Sequence, residues 1–143
     1  MLNSNKICIS ANKDEAAKAI DSIVEFILVN GADCKTTSRI QIALEEVLVN
    51  VASYAYQDEV GNIEIEYEIF HDPNKTLKVT IIDSGIEFDP LAKEDPDIVS
   101  FYEQKKIGGL GIYMTKQIMD EVIYQRKDNK NILVLKKTID SVV

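Results

Sequence analysis

The sequence predicts a two-layer α/β sandwich, in which a mixed, mostly antiparallel sheet carries three helices on one face. Hydrophobic residues recur first at helical spacing and then, after Gly61-Asn62, at every second position, and this change separates helices from strands. The strand-like segments come in consecutive pairs joined by short turns, which favours antiparallel pairing. A Rossmann fold requires strand–helix alternation throughout and is therefore set aside.

The first half of the chain predicts one short strand and two helices. The strand spans residues 6–10, and Asn12 with Glu15 has the pattern of a capping box for a helix that ends near Gly31. The second helix starts around Thr36 and carries one wide apolar face. The residues of that face are Ile40, Ala43, Leu44, Val47, Leu48, Val51, Ala52 and Ala55.

The second half predicts two strand pairs on either side of a long loop and a third helix. Hydrophobic residues alternate over 63–69 and again over 77–83, on either side of a turn. Residues 86–107 hold two prolines and no long apolar period, and a loop of this length is usually functional. A third helix over 108–119 and a hairpin over 121–139 complete the order.

Size and composition predict a single domain over residues 1–143 that is expected in the cytoplasm. The chain is 45% hydrophobic and 28% charged, enough for a core and a charged surface. No apolar run approaches the roughly 18 residues of a membrane span, and the N-terminus lacks the pattern of a secretory signal. We therefore expect no membrane association, and we expect Cys8 and Cys34 to be reduced, packed residues.

The net charge of −8 argues against direct nucleic-acid binding, because a protein that binds the phosphate backbone normally presents a basic face. The same charge does not exclude a nucleotide ligand. A divalent cation and local backbone dipoles can govern one pocket even on an acidic protein.

Glu46 and Asn50 lie four residues apart on the second predicted helix, so their side chains project side by side. An asparagine carbonyl is a neutral oxygen ligand suited to Mg²⁺, which accepts few protein ligands. Glu46 can accept a proton from an attacking hydroxyl or water. The alternative is that both side chains lie on a solvated helix border, and Glu45, turned about 100° away, is assigned to solvent.

Asp83 ends a predicted strand, and Gly85 allows the chain to turn sharply behind it. A carboxylate at this place can accept a hydrogen bond from the exocyclic amino group of adenine, whereas guanine presents an oxygen there. A charge-assisted hydrogen bond of roughly 1.5–3 kcal/mol is enough to select a base. The alternative is an ordinary Asp-x-Gly turn.

The glycine-rich run at 108–111 opens the third predicted helix. The first amides of a helix are unpaired and favour anions, and glycine lets phosphate oxygens approach the backbone closely. Lys105 and Lys106, just before the run, can reach phosphates when the loop closes. The alternatives are close helix packing for the glycines and solvated loop positions for the lysines.

Taken together, these motifs resemble the GHKL superfamily, whose ATP-binding domain is shared by gyrase-type ATPases and histidine kinases. The chain is most similar to the anti-sigma factor serine/threonine kinases of bacterial partner-switching systems. The resemblance spans Asn12 to Lys137 and is carried by residues 43–56, 83–90 and 108–120. It implies the Bergerat-type ATPase fold.

The resemblance also implies a role for each motif. Glu46 becomes the general base and Asn50 the Mg²⁺ ligand, while Asp83 binds adenine with Gly85 beneath the base. The lid is implied to span approximately residues 86–107. The phosphate-binding residues implied with it are Lys105, Lys106, Gly108, Gly109, Leu110 and Gly111.

Two departures from the superfamily pattern accompany this resemblance. Glu87 occupies a position at which the superfamily often has a second glycine, which puts the path of the turn after Asp83 in question. The lid also lacks the arginine that some relatives place near the phosphates, and a lysine is less suited to bidentate contact.

The implied function is that of a protein-serine kinase using Mg-ATP, which phosphorylates an anti-anti-sigma (antagonist) protein, binds a sigma factor and so regulates transcription. A homodimer is implied by resemblance alone. The alternative function is a non-catalytic module in which ATP orders the lid for partner docking. A detached histidine-kinase domain is disfavoured, because His71, the chain's one histidine, lies in a predicted turn without a phospho-acceptor helix.

Overall fold

The computed structural model describes residues 3–54, 61–71, 74–89 and 110–139. They form an α/β arrangement of five strands and three helices. In chain order the elements are β1 Asn3–Ser10, α1 Lys13–Val29, α2 Cys34–Tyr54, β2 Asn62–Phe70, β3 Thr76–Asp83, α3 Leu110–Ile118, β4 Glu121–Lys127 and β5 Lys130–Thr138.

The strands form one five-stranded sheet in the order β1-β2-β3-β5-β4. Every neighbouring pair within the described residues is antiparallel, so the predicted α/β sandwich is confirmed and the sheet has no parallel pair in this part of the chain. Because β5 is inserted between β3 and β4, the end of β3 lies beside the start of β5. That adjacency places Asp83 opposite Asn131.

Both long helices begin at side-chain caps. The Glu15 amide donates to Asn12 Oδ1 at 2.8 Å, as the capping-box pattern predicts, but the Glu15 carboxylate accepts from the Ser10 amide at 2.7 Å. Asp33 precedes α2, and its Oδ1 accepts from the Thr36 amide at 2.7 Å. Since an aspartate is a strong N-cap residue, α2 begins two residues earlier than the apolar pattern indicated.

Positive φ angles mark two turns. Gly31 has a φ of 96° directly after α1, in a region that residues with a side chain rarely adopt. Asp128 and Asn129, with φ of 53° and 61°, form the two-residue turn between β4 and β5, and this conformation matches the right-handed twist of the strands. The predicted hairpin is therefore confirmed with a tight turn.

The core lies between the helices and one face of the sheet. α2 packs between α1 and α3. The predicted face of α2 is confirmed from Ile40 to Ala52, with Ile40, Leu44 and Leu48 fully buried, and Ala55 lies outside the described residues. Burying a side chain of this size contributes roughly 1.5–3 kcal/mol. The buried residues of the sheet alternate along its strands. The hydrophobic ones are Ile9, Ile63, Ile65, Tyr67, Ile69, Leu77, Val79, Ile81, Leu133 and Leu135, and the polar ones are Asp83 and Asn131.

The two cysteines are free thiols, but the expectation that they are packed was wrong. Cys8 and Cys34 are both exposed. Cys8 alternates along β1 with the inward-facing Ile7 and Ile9 and so lies on the opposite face of the sheet, and Cys34 is the first residue of α2. None of the helices in the described residues is long and apolar enough to span a bilayer.

Candidate functional site

A small cavity lies where α2, the end of β3, the start of α3 and the β4–β5 hairpin meet. Its apolar walls are formed by Val47, Val51, Ile81, Phe88, Ile112 and Leu133. Its polar lining residues are Asn50, Asp83, Tyr124 and Asn131. The cavity is partly open and its volume is about 30 Å³, close to that of one water molecule in the liquid, so a ligand as large as a nucleotide requires the walls to move apart.

Asp83 lies at the base of this cavity and is 5% exposed. Its Oδ1 accepts two hydrogen bonds, from the Gly85 amide at 2.9 Å and from Asn131 Nδ2 at 2.9 Å. The side-chain hydrogen bonds that Asp83 makes within the described residues involve Oδ1, and none involves Oδ2. The second carboxylate oxygen is therefore the one available to a ligand.

Asn131 is a buried residue of the site that the sequence reasoning missed. Its Nδ2 donates to Asp83 and to the Ile86 carbonyl at 2.7 Å. Its Oδ1 accepts from the Tyr124 hydroxyl at 2.5 Å and from the Phe88 amide at 3.3 Å. The amide thus uses its two donors and both acceptor positions, which joins β5 to the loop after β3.

A signal for Asn131 is present in the sequence. Asn131, Leu133 and Leu135 occupy alternate positions and share the buried face of β5. A polar residue at an inward-facing position requires partners, and such a residue marks a candidate site even when its partners are distant in the chain.

Tyr124 and Arg126 on β4 complete the polar side of the site. Burial raises the pKa of the Tyr124 phenol, and the negative charge of Glu87 raises it further, while the Arg126 charge acts in the opposite direction. Arg126 Nη1 donates to the Gly85 carbonyl at 2.9 Å. The loop that follows Asp83 is therefore hydrogen-bonded to both strands of the hairpin, and it is in this loop that Glu87 replaces the expected glycine.

The structure brings Asn50 and Asp83 to the same cavity, although they come from different elements. Asn50 is partly buried one turn after Glu46 on α2. Glu46 is exposed and lines a separate groove between α1 and α2, together with Lys13, Asp21 and other residues. Val47 and Val51 line the cavity with Asn50, and Glu46 does not, although Glu46 and Asn50 are neighbours on the surface of the helix.

The glycine-rich segment lies partly outside the described residues. The residues outside the described part include Lys105, Lys106, Gly108 and Gly109. Residues 90–107 of the predicted lid also lie outside it. Leu110 and Gly111 begin α3, and Ile112 in its first turn lines the cavity. The described start of α3 is thus next to the cavity that holds Asp83, and the first amides of a helix generally favour an anion.

Comparison with known proteins identifies the family of the chain. Residues 9–137 match the family described as the histidine kinase-like ATPase domain. The chain belongs to this family. The expected resemblance to GHKL ATP-binding domains is thereby confirmed over nearly the whole chain, and ATP is the ligand that the family description indicates.

Among curated proteins, this histidine kinase-like ATPase domain is similar to the serine-protein kinase RsbW. It is 29% identical over 100 residues to RsbW of Bacillus cereus strain AH187 and to RsbW of Bacillus thuringiensis subsp. konkukian strain 97-27. Each match covers 67% of this chain and 61% of the relative. The match therefore spans less than two thirds of the length of these relatives.

Among solved structures, the domain is similar to the RsbU and RsbW domains of Rv1364c from Mycobacterium tuberculosis, with a TM-score of 0.65 and 16% sequence identity. The match covers 96% of this chain and 32% of the other chain. It is also similar to the catalytic domain of the histidine kinase ThkA, with a TM-score of 0.50, 13% identity and coverage of 96% and 97%. These likenesses support the fold.

Proposed function

We propose that this chain is a protein-serine kinase and anti-sigma factor of a bacterial partner-switching system, which binds Mg-ATP at the Asp83 cavity. The observation that carries the proposal is the buried Asp83 carboxylate, which keeps one oxygen available in an apolar cavity shared with Asn50. Similarity to the serine-protein kinase RsbW supports the reaction type.

Base recognition follows from this arrangement. Asp83 Oδ2 accepts a hydrogen bond from the exocyclic amino group of adenine, and apolar residues such as Ile81 and Leu133 contact the ring. A carbonyl in place of the amino group would face the carboxylate with no proton between them. A charge-assisted hydrogen bond therefore selects adenine over guanine, once the cavity has widened to admit a purine.

Asn50 is the residue that would hold Mg²⁺. Its carbonyl supplies one neutral oxygen at the edge of the cavity, and no group of three acidic, histidine or cysteine side chains suited to a metal occurs in the described part of the chain. Such a sparse donor set fits Mg²⁺, which usually keeps several waters and binds substrate phosphates. The ion neutralises phosphate charge when bound.

Phosphate binding is assigned to the segment that enters α3. Gly108, Gly109, Leu110 and Gly111 supply backbone amides at the helix N-terminus, which favour anions. Lys105 and Lys106 approach the phosphates from the lid over residues 86–107. These assignments rest on the sequence and on the position of Ile112 in the cavity wall.

Glu46 is proposed as the general base. A serine hydroxyl of the partner attacks the γ-phosphorus, its proton passes to the Glu46 carboxylate, and the bond from the γ-phosphorus to the β,γ-bridging oxygen breaks to release ADP. Glu46 is exposed and lies one turn before Asn50 on α2. An exposed base is accessible to a hydroxyl brought by another protein.

The partners and assembly are proposals of the same kind. The phosphate acceptor is an anti-anti-sigma protein, the second partner is a sigma factor whose sequestration regulates transcription, and the chain acts as a homodimer in the cytoplasm. We also propose that residues 1–143 form one domain. An alternative is a non-catalytic ATP-binding module that docks a partner without phosphate transfer.

The test is incubation of the purified chain with radiolabelled ATP, Mg²⁺ and candidate anti-anti-sigma proteins. The proposal predicts labelled phosphoserine on one of these proteins, and loss of the label in EDTA. ATP binding and ATP-dependent partner binding without transfer would favour the docking module. Absence of nucleotide binding by well-folded protein would contradict both.

A further inference from the structure

A chain of hydrogen bonds leads from β4 through β5 to the end of β3. The Tyr124 hydroxyl donates to Asn131 Oδ1 at 2.5 Å, and Asn131 Nδ2 donates to Asp83 Oδ1 at 2.9 Å. Asn131 and Asp83 are 6% and 5% exposed. Hydrogen bonds between buried groups are strong. Their loss lowers stability, because the former partners stay buried without a hydrogen bond.

The surroundings of Asn131 permit a single orientation of its amide. Two acceptors, the Asp83 carboxylate and the Ile86 carbonyl, face its nitrogen, while two donors, the Tyr124 hydroxyl and the Phe88 amide, face its oxygen. A flipped amide would place oxygen against a carboxylate and nitrogen against a donor. The neighbours therefore fix the side that faces Asp83 as the donor side.

Tyr124 stays a donor throughout the physiological pH range. Burial raises the pKa of its phenol from the ordinary value of 10.0, and the Glu87 carboxylate raises it further, against the opposing charge of Arg126. Asp89 acts in the same direction as Glu87, and the hydrogen bond from the Phe88 amide acts in the opposite one. The proton that orients Asn131 is thus retained.

The fixed amide has a consequence for Asp83. With the Gly85 amide and Asn131 both donating to Oδ1, rotation of the carboxylate would break two hydrogen bonds. Oδ2 is therefore held as an acceptor at one position in the cavity. A ligand with a hydrogen-bond donor at that position gains a charge-assisted bond, and a ligand without one leaves a carboxylate oxygen unpaired.

We infer that Asn131 and Tyr124 are positioning residues that fix which carboxylate oxygen of Asp83 meets the base, and so determine the preference for a base with an exocyclic amino group. The inference rests on the proposed function, because it assumes that the nucleotide enters the Asp83 cavity. It adds two residues, one from β5 and one from β4, that act on the base through Asp83.

The experiment compares Mg-ATP with Mg-purine riboside triphosphate, which lacks the 6-amino group, by isothermal titration calorimetry. The full-length chain is tested as wild type, Asn131→Leu and Tyr124→Phe. The wild type should prefer ATP by about tenfold or more. Asn131→Leu should reduce this preference below about threefold, and Tyr124→Phe should give an intermediate value, because the Phe88 amide still holds the Asn131 oxygen.

The preference ratio separates positioning from a purely structural role, which would weaken both nucleotides by the same factor. Tyr67→Phe is the matched control and should keep the wild-type ratio, because Tyr67 on β2 packs against Phe26 of α1 and does not line the cavity. Thermal unfolding of each variant reports folding, and Tyr124→Phe, which removes one oxygen, keeps the test valid if Asn131→Leu is unstable.

Three outcomes would overturn the inference. An unchanged ratio in both variants, or a wild-type ratio near one, would refute the positioning role while leaving ATP binding intact. Absence of binding by the wild type to either nucleotide would refute the proposed function, and the inference with it.

Discussion

Asp83 and Asn131 are directly opposite each other in the antiparallel β3–β5 pair, and the Asn131 amide nitrogen lies 2.9 Å from Asp83 Oδ1. The two residues are 48 positions apart in the sequence. Strand register therefore assembles the polar base of the cavity, and α2 adds Asn50 from the helical layer.

Asn50→Ala should lower the affinity for ATP in the presence of Mg²⁺ by about tenfold, equivalent to about 1.4 kcal/mol, because one oxygen ligand of the ion is lost. Affinity measured in EDTA should change little. Gln41→Ala is the matched control, since Gln41 is an amide on the same helix that bonds to Glu45. An equal loss with and without metal would contradict the ligand role.

Glu46→Gln should slow phosphate transfer to the acceptor protein by about 10²–10⁴-fold, the usual contribution of a general base. ATP affinity should stay within about twofold of wild type, because Glu46 does not line the Asp83 cavity. Glu45→Gln makes the same change at the exposed neighbouring residue and should be nearly neutral. A Glu46→Gln enzyme with full activity would remove the residue from the mechanism.

Asp120→Asn should destabilise the fold by about 1 kcal/mol at pH 7. Asp120 Oδ2 accepts from the Thr138 amide at 2.7 Å, and Oδ1 lies 3.4 Å from Lys137 Nζ. Burial raises the pKa of this carboxyl, but the Thr138 hydrogen bond and the Lys137 charge outweigh burial and lower the pKa below its ordinary 3.8. The exposed side chain limits the magnitude.

The pH dependence of the stabilisation by Asp120 follows from the lowered pKa of its carboxyl. A lowered folded-state pKa gives stabilisation that is fully present above the unfolded value and is lost as the pH falls through the folded value. Chemical denaturation should therefore show a constant difference between wild type and Asp120→Asn above about pH 5, which shrinks below pH 3.8. A difference that grows as the pH falls would refute the assignment.

Leu48→Ala should lower the free energy of unfolding by roughly 2–5 kcal/mol, because Leu48 is fully buried on the inward face of α2 and its truncation leaves a cavity. Val49→Ala is the control on the same helix, since Val49 is 38% exposed and should cost about 0.5 kcal/mol or less. Similar losses at both positions in urea denaturation would show that α2 is oriented differently.

The fold was predictable where local periodicity decides the structure. The apolar face around Leu44 and the alternation from Ile63 to Ile69 identified helix and strand correctly, because burial selects every third or fourth residue in one and every second in the other. The start of α2 was missed, since Asp33 caps it through a side-chain bond that periodicity does not report. The position of β5 beside β3 was not predicted, because it depends on pairing between strands that are distant in the sequence.

The residues of the candidate site likewise include some that local sequence motifs predicted and some that they did not. Asp83 and Asn50 were identified from local motifs, and the structure places both in one cavity. Asn131, Tyr124 and Arg126 were missed, because their contacts depend on register between strands and on the loop after Asp83. The roles of Asp83, Asn50, Glu46 and the glycine-rich segment in binding and catalysis all stay predictions.

The central claim is that the Asp83 cavity binds Mg-ATP, and calorimetric titration of wild type and Asp83→Asn tests it most directly. Wild type should bind with measurable heat, and Asp83→Asn should lose about 10- to 100-fold in affinity, because a charged acceptor is replaced by an amide. Asp128→Asn, in the exposed hairpin turn, should bind like wild type. No binding by folded wild type, or equal affinity in Asp83→Asn, would contradict the claim.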